Sequence, residues 1–253
     1  MGKRLIRPLV VLLGASTLAF AAAARAQEIS VLSTAAYKEV ILELLPQFER
    51  ASQHKVVTRF SSSPDILKRT KAGEKVDVVI LASDSLDELI RSGNIVSGSR
   101  VDLAKSGIGV AVRAGAPKPD ISSGDAVKRA MLAAKSVGYS GGASGAYMAS
   151  LFQRLGIAEE IRLKSRQTSP DVPVGELVAR GEAELGFHQL SELLPVAGID
   201  IVGPLPPELQ HLTVFSCGIH VAAKEPVASK ALVQFLASPG AIPVIRKNGM
   251  EPG

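Results

Sequence analysis

Residues 73–84 read GEKVDVVILASD and contain an almost continuous apolar run at 76–81. A run of this length, without regular polar alternation, is typical of a strand buried on both faces of a parallel sheet. Residues 85–91 then have helical spacing, and Gly93 is placed to end that helix. This segment therefore predicts one strand–helix unit of an α/β fold.

The same alternation extends in both directions along the chain. Further strands are predicted at 29–33, 55–60, 108–113, 137–139, 185–187, 199–202 and 212–223. Helices are predicted between them, at 37–51, 125–135, 145–155, 175–180, 189–196, 226–237 and 241–247. Alternating strands and helices predict an α/β fold with mainly parallel sheets.

Two long strands, 107–113 and 212–223, are placed where a chain would pass between two lobes, and we interpret them as hinge-crossing strands. This division assigns residues 27–107 and 216–253 to lobe one and 108–215 to lobe two.

The first 26 residues have the pattern of a secretory signal peptide. Three basic residues, Lys3, Arg4 and Arg7, precede a short apolar segment, and Ala24-Arg25-Ala26 is a small-x-small cleavage site before Gln27. No cysteine near the cut offers a lipid attachment point. We expect a periplasmic protein cleaved near Ala26–Gln27; an amphipathic anchor left in place is the alternative.

Removing that segment changes the charge of the chain. Four of its 29 Lys and Arg residues lie in 1–26, which leaves 25 basic against 24 acidic residues. A nearly neutral mature chain gives no indication of nucleic-acid or membrane-surface binding, so neither partner is expected. The single cysteine, Cys217, lies in an apolar run and is expected to be a buried, inert thiol.

Three loops share one design, in which a strand ends, small hydroxyl or glycine residues follow, and a helix begins. Helix N-termini expose unpaired N–H groups and the positive end of the helix dipole, so such loops attract anions. Ordinary helix capping is the alternative explanation for each loop alone. Together they predict binding of a small anion through Ser33, Thr34, Ala35, Ser62, Ser63, Ser140, Gly142 and Ser144.

Patterns of enzymes are not found. The segment around Ser144 lacks the Gly-x-Ser-x-Gly spacing of a nucleophile elbow, and the 140–145 loop has no Walker A lysine. The four histidines have no metal-binding spacing that we recognise, and only His188 lies near a ligand loop. The sequence therefore predicts no catalytic residues, no metal and no cofactor, and the chain is not expected to be an enzyme.

Three motifs in order carry a resemblance to a known family. They are residues 73–80 with Asp84 and the 93–95 turn, GEAELG at 181–186, and LASPG at 236–240 followed by NGM at 248–250. On these residues the chain resembles the periplasmic molybdate-binding family, the type II solute-binding proteins of ABC importers. The resemblance implies a monomer with two lobes that close on a small anion and deliver it to an ABC permease.

The resemblance also implies ligand contacts in lobe two, from Asp171 and Val172 and from His188 and Gln189 after Gly186. The chain departs from the family pattern at Ala36, which replaces a ligand serine, at Pro64, and at Gln189, which replaces a tyrosine. These departures leave the ligand open between a molybdate-type oxyanion and a small organic acid.

Arg59, Arg166 or His188 could contribute positive charge to the ligand site; for the two arginines, surface charges are the alternative. Two other functions stay open: an exported enzyme with His188 as general base, and a ligand sensor that docks to a membrane receptor.

Overall fold

The computed structural model describes residues 26–169 and 172–253, so the predicted signal peptide lies outside the described residues except for Ala26. The chain forms two mixed sheets flanked by helices, and the predicted two-lobed α/β fold is confirmed. The first sheet contains β1 (Glu28–Thr34), β2 (Lys55–Ser61), β3 (Val78–Ala82), β4 (Val101–Ser106), β10 (Thr213–Ile219) and β11 (Glu251–Pro252). The second contains β5 (Ile108–Arg113), β6 (Val137–Tyr139), β7 (Ser165–Gln167), β8 (Leu185–Gln189) and β9 (Ile199–Pro204).

Each sheet has a parallel centre extended by antiparallel strands. The first has the order β11-β4-β10-β3-β1-β2, in which β1 is parallel to β2 and β3, and β10 is antiparallel to β3 and β4. The second has the order β7-β6-β8-β5-β9, in which β6 is parallel to β7 and β8, and β5 is antiparallel to β8 and β9. The sheets are therefore mixed rather than mainly parallel. The reason is that β5 and β10 enter their sheets from the edge where the parallel strands end.

Helices cover both faces of each sheet. They are α1 (Lys38–Ser52), α2 (Ser63–Lys71), α3 (Ser83–Arg91), α4 (Gly124–Ala133), α5 (Ala143–Arg154), α6 (Ala158–Arg162), α7 (Val174–Ala179), α8 (Leu190–Leu193), α9 (Pro226–Leu236) and α10 (Ile242–Lys247). Short 3-10 turns lie at Ala35–Tyr37 and Pro239–Ala241.

In lobe one, α1, α9 and α10 pack on one face of the sheet, and α2 and α3 pack on the other. Every residue of β3 is buried, which agrees with the unbroken apolar run that predicted it.

The connection between the lobes is held by glutamine side chains. Gln210 Oε1 accepts a hydrogen bond from Ile108 N at 2.8 Å, and its Nε2 donates to Ile108 O at 3.1 Å. Gln189 Nε2, at the end of β8, donates to Thr213 Oγ1 in β10 at 2.8 Å. Sheet membership changes between Ser106 and Ile108 and again before Thr213, so all of β10 belongs to the first sheet.

Within the described residues, no single helix is long and apolar enough to cross a membrane. Only α9 together with residues 239–247 reaches that length and composition, as a pair bent by 55°. Both helices supply side chains to the core of lobe one.

Cys217 is buried in the same core, and burial raises the pKa of its thiol to about 12. A thiol in this state is protonated and unreactive, as its apolar surroundings predicted.

Candidate functional site

A cleft of about 560 Å³ lies between the lobes, at the edge where the parallel strands of both sheets end. Ligands of α/β folds bind at this edge, because loops and helix N-termini converge there. Of the residues predicted to bind ligand, Ser33 is buried in β1 and does not line the cleft, and Asp171 lies outside the described residues. The others line the cleft: Thr34, Ala35, Ser62, Ser63, Ser140, Gly142, Ser144, Val172, His188 and Gln189.

The lobe-one side of the cleft is formed by two helix starts. Residues 34 and 35 open the 3-10 turn that leads into α1, and Ser62 caps α2 by accepting a hydrogen bond from Asp65 N at 3.3 Å. Ser63 Oγ accepts a hydrogen bond from Ala82 N at 3.0 Å, so this hydroxyl also ties α2 to β3. Ser62 and Ser63 therefore form hydrogen bonds that stabilise the start of α2, and both also line the cleft.

The lobe-two side is formed by the loop before α5. Ser140 Oγ and Ser144 Oγ are 2.9 Å apart, and Ser140 Oγ accepts a hydrogen bond from Gly142 N at 3.2 Å. A Cβ on Gly145 would lie 1.6 Å from the carbonyl oxygen of Ser140, so only glycine allows this close approach. A Cβ on Gly142 would lie 3.9 Å from Ser62 Cβ. The loops of the two lobes thus nearly touch across the cleft.

An acid–base pair lies on the cleft wall where β8 passes into α8. His188 Nε2 is 3.3 Å from Glu192 Oε2, and the two side chains are 6% and 17% exposed. Burial lowers the pKa of His188 to about 4 and raises the pKa of Glu192 to about 8, because either charge would lose its hydration there. At neutral pH the favoured state is therefore a neutral imidazole beside a protonated carboxyl group.

Several polar atoms in the cleft wall have no hydrogen-bond partner among the described residues. They are His188 Nδ1, Gln189 Oε1 and Thr168 Oγ1, each on a buried residue that lines the cleft. Buried polar atoms in folded proteins are nearly always hydrogen-bonded to protein or to water. Unpaired atoms at a cleft wall are typical of a site that completes its hydrogen bonds with a ligand.

The charge of the cleft comes from residues that were not predicted. Lys38 and Glu39 at the start of α1 line it, and so does Glu176, which forms an ion pair with Arg180. Arg59 pairs with Glu74 at 2.6 Å outside the cleft lining. Arg166 is also absent from the lining and donates to Ser165 O, a carbonyl of its own strand. Within 26–169 and 172–253, no cluster of His, Cys, Asp and Glu could hold a metal ion.

Sequence reasoning missed Glu192, Lys38 and Thr168 as residues of the cleft. A signal for Glu192 was present, because His188-x-x-x-Glu192 places a base and an acid four positions apart. For Lys38 the only signal was its place one turn after a ligand loop. Thr168 directly follows the short strand β7, and no distinguishing pattern marks it in the sequence.

A family model for bacterial extracellular solute-binding proteins matches residues 29–251. The chain belongs to this family. Extracellular location is a property of the family, whereas the signal peptide at 1–26 stays a prediction.

Relatives and solved structures agree with this assignment. The molybdate-binding protein ModA of Azotobacter vinelandii is 30% identical over 251 residues, which cover 95% of this chain and 96% of ModA. The structure of the periplasmic molybdate-binding protein of Azotobacter vinelandii has a TM-score of 0.76 at 20% identity and covers 89% of this chain and 99% of its own. The sulfate-binding protein SubI of Mycobacterium tuberculosis has a TM-score of 0.72 at 14% identity over 89% of this chain and 87% of its own. These structures support the type II binding-protein fold.

One relative corrects the expectation that the chain is not an enzyme. An aconitate isomerase from a Pseudomonas species is 42% identical over 230 residues, which cover 88% of this chain and 87% of the isomerase. The absence of familiar catalytic motifs was therefore a poor guide, because such motifs describe other reactions. A proton-transfer enzyme needs only a positioned acid and base, which no motif of that kind records.

Proposed function

We propose that this chain is an isomerase that moves a proton along a small unsaturated polycarboxylate, with aconitate as the substrate. The observation that carries the proposal is the buried His188–Glu192 pair in the wall of a cleft built for anions. The similarity to an aconitate isomerase supports the choice of substrate. The same cleft in a simple binding protein would have no need for a buried acid–base pair with strongly shifted pKa values.

The reaction needs only acid and base chemistry. Aconitate is a propene that carries three carboxylates, with one CH₂ group and one vinyl CH on either side of the central carbon. Its cis and trans forms interconvert when a proton leaves the CH₂ carbon, the double bond moves, and a proton adds to the former vinyl carbon. One C–H bond breaks and one forms, so no oxidant, reductant or co-reactant is required.

The pair is suited to both halves of this transfer. The neutral imidazole of His188 can accept a proton, and the protonated carboxyl of Glu192 can donate one. Transfer of the proton from His188 to Glu192 across 3.3 Å then restores the starting state. General acid–base catalysis of this kind contributes about 10²- to 10⁴-fold to a rate.

The surrounding helix starts stabilise the intermediate charge. When the proton leaves carbon, negative charge spreads into the adjacent carboxylates. The starts of the 3-10 turn before α1 and of α5 line the cleft, as do Thr34, Ser62 and Ser144, so backbone N–H groups and hydroxyls there can donate to those oxygens. Donors fixed in place before the reaction stabilise the developing charge without reorganisation.

The proposal is tested by incubating the purified protein with trans-aconitate in D₂O and recording proton NMR spectra. We expect cis-aconitate to form, with deuterium entering the interconverting carbons. Glu192→Gln should lower the rate by about a hundredfold or more, since the acid is lost while the side-chain shape remains. Glu39→Gln, which removes another cleft carboxyl outside the pair, should keep most of the activity. Binding of aconitate without isomerisation or deuterium entry would refute the proposal.

A second role follows from the family, which is defined by solute capture. The same cleft can hold the anion and present it to an ABC permease, as we also propose for this chain. Calorimetry against molybdate, tungstate, sulfate and a set of carboxylates identifies the anion that binds. Uptake of that anion in cells with and without the gene then tests delivery, and unchanged uptake would argue against it.

A further inference from the structure

Lys38 is the only side chain with a permanent positive charge among the described residues that line the cleft. It is exposed, and its Nζ lies 6.0 Å from the centre of the Phe60 ring, which lines the same cleft. The ion pairs found in the described part of the chain do not include it. This ammonium group is therefore free to meet an anion.

The position of Lys38 in α1 concentrates positive charge at one point. Lys38 is the first residue of the helix, where the positive end of the helix dipole already lies. A cation here is unfavourable without a partner, since cations stabilise the opposite end of a helix. An anion bound at this point would interact with both the dipole and the ammonium group. The 3-10 turn just before Lys38 packs against α8, so this charged position lies close to the element that carries Glu192.

A second part of the cleft offers only neutral hydrogen-bond donors. The starts of α2 and α5 face each other there, with Ser62 and Gly142 in near contact and the Ser140 and Ser144 hydroxyls beside them. Neutral donors of this kind are sufficient to hold a single oxyanion group. A ligand with a single oxyanion group can bind at these neutral donors without contacting Lys38.

We propose that Lys38 binds a second carboxylate of the ligand and makes this cleft select a polycarboxylate over a single inorganic oxyanion such as molybdate. The inference rests on the proposed function for the identity of the ligand, but it concerns binding and not turnover. The buried Thr168 hydroxyl, which lines the cleft and has no partner among the described residues, is a further donor that a carboxylate of the ligand can use.

Calorimetry on the wild type, Lys38→Met and Lys68→Met tests the inference with trans-aconitate and molybdate as ligands. Lys68 is an exposed lysine of α2 in the same lobe that does not line the cleft, so its removal controls for overall charge. We expect Lys38→Met to weaken aconitate binding by about tenfold, the size of one charge-assisted hydrogen bond at an exposed site, and Lys68→Met to have little effect. Lys38→Arg should keep most of the affinity.

Two results would overturn the inference: equal affinities of Lys38→Met and the wild type for aconitate, or tighter binding of molybdate than of aconitate by the wild type. Binding of aconitate by a wild type that does not isomerise it would refute the proposed enzyme alone. The comparison of Lys38→Met with Lys68→Met would then still decide the role of Lys38.

Discussion

Replacing Glu192 by glutamine should make the protein more stable, and increasingly so as the pH rises from about 4.5 to about 8. The pKa of Glu192 rises from 4.5 to about 8 on folding, because its carboxyl is buried beside His188. A carboxyl with a raised pKa gives its full stability below the unfolded pKa, and that stability is lost as pH rises through the folded pKa. Glutamine has no proton to lose, so the variant avoids the loss.

The magnitude follows from the two pKa values. Each pH unit between them costs the wild type about 1.4 kcal/mol of unfolding free energy. The variant should therefore gain about 3 kcal/mol over the wild type at pH 7 and about 4 kcal/mol at pH 8, where half of the folded carboxyl is still protonated. A gain in stability with a loss of activity is typical of residues kept for catalysis.

Urea denaturation at pH 5, 6, 7 and 8 measures this difference. His188, whose pKa is lowered to about 4, destabilises the fold as pH falls below 6.5, but it does so in both proteins. The difference between the two therefore isolates Glu192. Glu39→Gln, which removes a partly exposed carboxyl of the cleft wall, is measured in parallel as the control for replacing a glutamate by glutamine. A Glu192→Gln difference that stays constant from pH 5 to pH 8 would mean that the pair is a buried ion pair, and would refute the reasoning.

Two further substitutions test closure and packing. Gly142→Val should weaken ligand binding by about tenfold, because even a Cβ there lies 3.9 Å from Ser62 Cβ and the added methyl groups would hold the lobes apart. Gly142→Ala should bind normally, and equal calorimetric affinities for the two variants would contradict this account of closure. Tyr37→Phe should be neutral or stabilising by up to about 1 kcal/mol in urea denaturation, since the buried Tyr37 hydroxyl has no partner among the described residues. A loss above about 1 kcal/mol would show that this hydroxyl is bonded.

The predicted elements agree with the structure where local patterns are strong. The helices predicted at 37–51 and 226–237 are observed at Lys38–Ser52 and Pro226–Leu236, because apolar residues at helical spacing mark the buried face of each helix. Strand β4, Val101–Ser106, was missed. Its sequence, VDLAKS, includes two charged residues, and its buried Leu103 and Ala104 pack in the core that the first sheet forms with α1, α9 and α10.

In the candidate site, too, local patterns predicted some features, and others depended on the tertiary structure. The three loops that line the cleft could be predicted, since a hydroxyl or glycine between a strand and a helix is a local pattern. Ser33 was predicted as part of the first of these loops, yet it lies within β1, where its side chain is buried away from the cleft. Side chains alternate along a strand, so a shift of one position decides which of them reaches the ligand.

The sequence by itself determined the α/β class, the family and the strand–helix loops that line the cleft. These depend on burial patterns and hydrogen-bonding residues that are continuous along the chain. Only the tertiary structure decided that Glu192 faces His188 and that Lys38 supplies the positive charge of the cleft. The physical reason is that a pKa depends on the loss of water from all sides, and charge in a cleft depends on which residues line it. Both the shifted pKa values and the charge of the cleft therefore depend on contacts between residues that only the folded chain brings together.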